Sequence, residues 1–239
     1  MPYGQTCRRI KVVWIEEVAE RDFVVSDDVV DLAYSIDCRS VPLEHGHTLS
    51  EAILEVLPWL ADETSASIHQ IHGAESGNGW LRPENTENEV LYLSRRTRMV
   101  IRVPKHRIED ARQLSGAELD VDGHSLTVGD ASIRKLVALS TVFSRYVVCD
   151  ETQTEADFEK EIINNLLQSA EVRVRKMLCG RTHTISLPDR KLFTRSIMLA
   201  DLAPDEAVRL QQQGLGEYQK LGCGIFLPHK RIPDLSAED

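Results

Sequence analysis

Gly214-Leu-Gly-Glu-Tyr-Gln-Lys-Leu-Gly-Cys-Gly-Ile-Phe226 carries four glycines, at 214, 216, 222 and 224, in the pattern G-x-G-x5-G-x-G. A helical run, Asp205 to Gln213, precedes them, and an apolar run, Ile225 to Pro228, follows. Paired glycines at each end of a loop let the backbone take positive φ and approach a neighbour or a ligand closely. Amides freed in such a loop can point at phosphate oxygens. The order helix, glycine loop, strand is the reverse of what a dinucleotide fingerprint requires. The loop's plain structural role is to close the second half of the chain against the first.

Upstream of the loop, Thr141 to Cys149 reads as a strand and Ala156 to Ala170 as a helix, with Phe158, Ile162, Ile163, Leu166, Leu167 and Ala170 on one face. Val172 to Leu178 alternates, with Arg173 and Arg175 leaving one side, and Leu192 to Leu199 reads as a further strand. The first half runs the same way. Val29 to Ile36 is a short apolar strand, and Leu49, Ala52, Ile53, Val56, Leu57 and Leu60 mark a helix. Thr48 and Glu51 form a capping box that starts this helix just after His47, and Pro58 ends or kinks it. A short strand near Ile68–Ile71 lies in a loop-rich stretch with turn signals at Gly73, Gly77 and Gly79. Val90–Leu93 and Met99–Val103 read as strands, Lys105–Leu114 as a helix, and Asp122-Gly123 as a type I′ hairpin turn. Each half thus runs strand, helix, two strands, helix, strand, the order of ferredoxin-like and RNA-recognition folds. The expectation is an α+β chain of tandem ferredoxin-like domains at 29–139 and 140–232, with the glycine-rich loop at 214–224. Residues 1–28 form an extension, within which Arg8 to Ile15 suits a strand, and 233–239 a tail.

A hydrophobic fraction of 42% suffices for a folded core. No run approaches the roughly 18 apolar residues of a membrane span, and no apolar signal core opens the chain, so a cytoplasmic protein without a membrane partner is expected. The five cysteines (7, 38, 149, 179, 223) are scattered, which suits free thiols in a reducing compartment. A net charge of −10 disfavours nucleic acid, yet its distribution does not. From Arg95 to Arg112 seven Lys/Arg stand against two acids, and from Arg173 to Arg195 seven stand against Asp189 alone. A basic face on an acidic body is one reading, ordinary solvated charge the other.

The glycine loop, the block Leu199 to Gly216, the block Gly222 to Pro228 and the upstream Pro42-Leu-Glu-His-Gly-His47 together resemble the CRISPR repeat-processing endoribonucleases, the Cas-six family, and most closely its MYXAN branch. The resemblance covers about residues 29–231. It implies cleavage of CRISPR precursor RNA within its repeats, without metal or other cofactor. A base takes the proton of the 2′-OH, the oxygen attacks in line, and an acid protonates the leaving 5′-oxygen. The ends are a 2′,3′-cyclic phosphate and a 5′-OH. The family's histidine commonly lies where His45 lies, so His45 is the favoured proton shuttle and His47 its rival. A histidine that merely caps the helix is the bland alternative. A stem-loop repeat RNA and the other subunits of a surveillance complex are the implied partners.

Arg173, Arg175, Lys176 and Arg181 are the candidate RNA grip, with Gly214, Gly216, Lys220, Gly222 and Gly224 of the loop as phosphate binders. Arg95, Arg96, Arg98 and Arg102 make a second, weaker patch. His183 is a third candidate, read as a sheet residue that contacts RNA or that serves the fold alone. His69-x-x-His72 lacks a third metal ligand nearby, and Tyr34 and Tyr146 read as strand residues of core or surface. A non-catalytic guide-RNA scaffold on the same fold is the competing function, because fold alone cannot separate the two.

Overall fold

A computed structural model describes residues 23–72 and 89–229 of the 239-residue chain. The expected strand at Arg8 to Ile15 and the turns at Gly73, Gly77 and Gly79 lie outside the described residues. The first half comprises β1 (Val29–Asp37), β2 (Ser40–Pro42), α1 (Gly46–Val56), β3 (Ser67–Ile68), β4 (Val90–Tyr92), β5 (Arg98–Pro104), α2 (Ile108–Arg112), β6 (Glu118–Val121) and β7 (His124–Lys135). The second comprises β8 (Val142–Val148), α3 (Glu155–Ser169), β9 (Lys176–Ser186), β10 (Lys191–Ala200), α4 (Pro204–Gln213) and β11 (Leu227–Pro228).

Both halves are ferredoxin-like. The first sheet runs β3-β5-β1-β7-β6 and the second β11-β8-β10-β9, with every pairing antiparallel. In each, the first strand lies between the third and fourth strands of the motif. The pleat explains the first core: Val30, Leu32 and Tyr34 of β1 and Met99, Ile101 and Val103 of β5 share one face with Leu49 and Ile53 of α1. The second core joins Val142, Val147, Ile197 and Leu199 to Phe158, Ile162 and Leu166 of α3 and Ala207 and Leu210 of α4. Asp122 (φ 53) and Gly123 (φ 77) both take positive φ, so the β6–β7 hairpin has the type I′ turn that the sequence signals. Cys38, Cys149, Cys179 and Cys223 are free thiols. Among the described residues no helix is long and apolar enough to cross a membrane.

Four local expectations are corrected. Helix α1 begins at Gly46, with His45 as its N-cap, so Thr48 is no cap; its hydroxyl donates instead to the His45 carbonyl at 3.3 Å. The 105–114 helix is a 3-10 turn followed by the short α2. Ile163 (41% exposed) and Leu167 (51%) lie off the buried face of α3. Residues 172–175 precede β9 rather than belonging to it. Glu171 takes φ 51 and the Val172 amide closes back on the Leu166 carbonyl, a helix stop that uses these residues to turn the chain.

A buried arginine joins the halves. Arg102 of β5 faces away from the first core and is 2% exposed. It holds Asp31 of β1 through both carboxylate oxygens, at 2.7 and 3.1 Å, and donates to the Gln211 carbonyl at 2.5 Å and the Phe226 carbonyl at 3.2 Å. The weaker arginine patch of the sequence therefore loses Arg102, which is an internal clamp. Asp31 also faces His69, at 3.8 Å. Burial raises the Asp31 pKa, but Arg102 and His69 outweigh it and leave it lowered; for His69, burial dominates and pushes the pKa down to about 4.

Two outcomes follow from this clamp. Arg102→Ala leaves Asp31 and two carbonyls buried without their donor and lowers stability by about 3–5 kcal/mol in urea unfolding. His69 has a folded pKa below its unfolded value, so its stabilising contribution is complete above pH ~6.5 and shrinks as pH falls towards about 4. Asp31, also depressed, keeps its contribution until pH falls below about 4. Stability measured from pH 7 to 4 declines for the native chain and declines less for His69→Gln.

Candidate active site

The glycine loop is built to dock. Gly214 (φ 66), Gly216 (φ 71), Gly222 (φ 86) and Gly224 (φ 64) all take positive φ, as the spacing anticipates. A Cβ on Gly224 would stand 1.8 Å from the Leu215 carbonyl oxygen, so no side chain is tolerated there. Many of the loop's amides are satisfied internally. Leu215 donates to Gly224, Gly222 to Gln219, Cys223 to Tyr218, and Gly224 to the Tyr146 carbonyl of β8 at 2.6 Å. The loop's short 3-10 turn, Gln219–Leu221, packs on the first half. There the Lys220 ammonium donates to the Glu63 carbonyl at 2.7 Å and to the Ala66 carbonyl, and burial lowers its pKa. Gln70 reaches the Leu221 carbonyl at 2.9 Å. Lys220 is thus a bolt between the halves rather than a hand on phosphate.

His45 is enclosed likewise. It is 2% exposed. Its Nδ1 lies 2.8 Å from the Pro42 carbonyl and its Nε2 lies 2.9 Å from the Ile71 amide, which donates to it. A carbonyl can only accept, so Nδ1 carries the proton and the Nε2 lone pair is spent on Ile71. Both ring nitrogens therefore meet backbone groups in this arrangement. His45 fixes the start of α1 to the segment after β3. Gly46 completes the joint, since a Cβ there would meet Gln70 Nε2 at 2.8 Å and the Leu221 carbonyl at 3.3 Å.

His47 occupies the first turn of α1, half-buried, with its Nδ1 3.4 Å from a Glu51 carboxylate oxygen one turn later. The earlier helix start creates this pair, because positions four apart share a face. The N-terminus of α1 meets the glycine loop's 3-10 turn, so His47 sits close to where the halves join.

The arginine cluster divides. Arg175 is tied to Glu206 at 2.5 Å and to the Asp201 carbonyl at 3.1 Å. Glu206 also accepts from the Ala203 and Arg173 amides, at 2.8 and 3.1 Å; burial raises its pKa, but these bonds and Arg175 leave it lowered. Arg175 is therefore a cap on the start of α4. Arg173 and Arg181 are exposed, and Lys176 pairs with Asp201 at 2.7 Å on the surface, where such pairs are worth little and exchange readily.

Sequence reading did not bring together His72, Tyr146 and His183. The Tyr146 ring lies 6.2 Å from that of His72 and 5.6 Å from that of His183, edge-on to the latter at 80°. His72 follows β3, whereas Tyr146 and His183 stand on β8 and β9. The H-x-x-H spacing marked His72, but His69 turns to Asp31 while His72 turns to Tyr146. Among the described residues no three His, Cys, Asp or Glu side chains are grouped to hold one metal ion.

The family model described as Cas6 Crispr matches residues 30–231, most of the chain. The chain belongs to the Cas6 family. It is 28% identical over 202 residues to the CRISPR-associated endonuclease Cas6 of Myxococcus xanthus (strain DK1622), covering 84% of this chain and 82% of that protein. A solved structure of a CRISPR associated protein Cas6 superposes with TM-score 0.58 at 14% identity, over 84% of this chain and 99% of that one. One for a Cas6-related gene from Pyrococcus furiosus superposes with TM-score 0.53 at 11% identity, over 86% and 99%. Those two likenesses concern the fold, and they agree with the paired ferredoxin-like sheets. In this Cas6 chain the His45-Gly46 joint and the glycine loop hold one another.

His45→Ala leaves a buried carbonyl and a buried amide unpartnered and costs about 2–4 kcal/mol in urea unfolding. Gly46→Ala costs about 1–3 kcal/mol through crowding at Gln70 and Leu221. His47→Ala, which removes only a half-buried ring and a surface pair, costs less than about 1 kcal/mol.

Proposed function

We propose that this protein binds CRISPR repeat RNA and cuts it within the repeat by metal-independent attack of a 2′-OH, leaving a 2′,3′-cyclic phosphate and a 5′-OH. The observation that carries the reading is His47 in the first turn of α1, beside the docked glycine loop of a Cas6 chain. Free amides and the macrodipole at a helix start favour a phosphate, and a histidine there lies within reach of its oxygens. Glu51 lies 3.4 Å from His47 Nδ1, placed to stabilise the imidazolium that forms when the ring accepts the 2′-OH proton. Arg173, Arg181 and Lys176 neutralise backbone phosphates of the repeat, a stem-loop, from the second half. The positive φ of the loop glycines brings its backbone close to the same RNA. The product guide RNA passes with the protein to the other subunits of a CRISPR complex.

A second reading has one specific support. The histidine that best fits the family motif, His45, is locked in the fold, as in a scaffold that holds guide RNA and cuts nothing. Single-turnover cleavage of the cognate repeat in EDTA separates the two. The expected result is cutting by the native chain, none of a substrate with 2′-deoxy at the scissile nucleotide, and a loss of about 10²–10⁴-fold for His47→Ala. Mass analysis of the 5′ fragment shows the cyclic phosphate. Tight binding without any cutting by the native chain establishes the scaffold.

A further inference from the structure

Resting on that reading of the reaction, we infer that His72, Tyr146 and His183 form the second half of the cleavage site, in which His72 protonates the leaving 5′-oxygen and His183 holds the scissile phosphate. Cleavage by a 2′-OH needs two proton transfers, one from the nucleophile and one to the leaving group. His47 accounts for one, so a second group must exist. The remaining histidines narrow the choice. His45 spends both nitrogens on backbone, and burial drives His69 neutral beside Asp31. His106 sits on the surface opposite Glu63 at 3.6 Å, His124 meets the Ser40 hydroxyl at 3.3 Å, and His229 lies edge-on to Phe143. Among the described residues His72 and His183 converge on one ring, from opposite halves of the chain.

The surroundings of this row are held more firmly than a surface contact requires. On the His72 side, the His69 amide donates to the Val100 carbonyl at 3.0 Å, Gln70 to Leu221, and the Ile71 amide to His45. Tyr146 is 6% exposed, and its carbonyl accepts the Gly224 amide. Tyr146 is thus a positioning residue between two half-buried imidazoles. Arg181, exposed two residues before His183 on β9, supplies positive charge for the phosphate. His72 takes the donor role because the preceding residue, Ile71, is hydrogen-bonded to His45, the N-cap of α1 two residues before His47. In the step, the 2′-oxygen loses its proton to His47 and bonds to phosphorus. The P–O5′ bond breaks, and the 5′-oxygen takes the proton of the His72 imidazolium. One proton enters the protein and one leaves it.

The test uses the full chain, single-turnover conditions and two cognate repeat substrates, one natural and one with sulfur replacing the scissile 5′-oxygen. A thiolate departs without protonation near neutral pH, so general-acid loss is masked with the sulfur substrate. His72→Ala and His72→Gln cut the natural substrate about 10²–10⁴-fold more slowly. They cut the sulfur substrate within a few-fold of the native rate and bind the uncut 2′-deoxy repeat with native Kd. His47→Ala is slow on both substrates. His183→Ala weakens repeat binding as well as cleavage. Native cutting of the natural substrate by both His72 variants overturns the assignment, and so does an equal loss on both substrates with Kd unchanged. In either case the native chain still cuts, which leaves the proposed reaction standing.

Discussion

The fold turns on one buried guanidinium. Arg102 could not be removed from water unless its donors found acceptors, and they are supplied from both halves of the chain. Asp31 comes from the neighbouring strand, and the Gln211 and Phe226 carbonyls come from the end of α4 and the approach to β11, 109 and 124 residues away. A buried pair of this kind adds little over an apolar contact but is costly to break, so a docking of the sheets that left it unmatched would be disfavoured. Everything placed across the junction inherits that constraint.

The glycine loop is the second tie. Lys220, a residue that composition marks for phosphate, donates instead to carbonyls 157 and 154 residues away. Its neighbour Leu221 is reached by Gln70, and Gly46 leaves room for that bond. His45 then links the start of α1 to Ile71. The result is a rigid corner in which α1, the segment after β3, β8 and the loop are set against each other. A cleavage site at this corner would be preorganised by the contacts that hold the domains, which is where geometry is most useful to proton transfer.

Much of this was legible in the residues. The alternation of Met99, Ile101 and Val103, the helical spacing of Leu49 and Ile53, and the Asp122-Gly123 turn each report a local preference that the structure keeps. The resemblance carried by the glycine blocks agrees with the family to which the chain belongs. What misled was charge. Arg102, Arg175 and Lys220, from three separate groups, read as cations for RNA or phosphate, yet each is tied to a carboxylate or carbonyl distant in sequence. Likewise His45 fits its motif while its nitrogens face Pro42 and Ile71.

The tandem ferredoxin-like order and the positions of most strands and helices can be read from the residues alone. These rest on periodicity and backbone preference, which act over a few residues. The docking of the two halves settles the rest: which cations are tied to carbonyls and which face solvent, that both nitrogens of His45 meet backbone, and that His72, Tyr146 and His183 share one corner. A hydrogen bond spanning 26 or 151 residues leaves no period in the chain, because its partner is chosen by burial and by the docking of two separately patterned sheets.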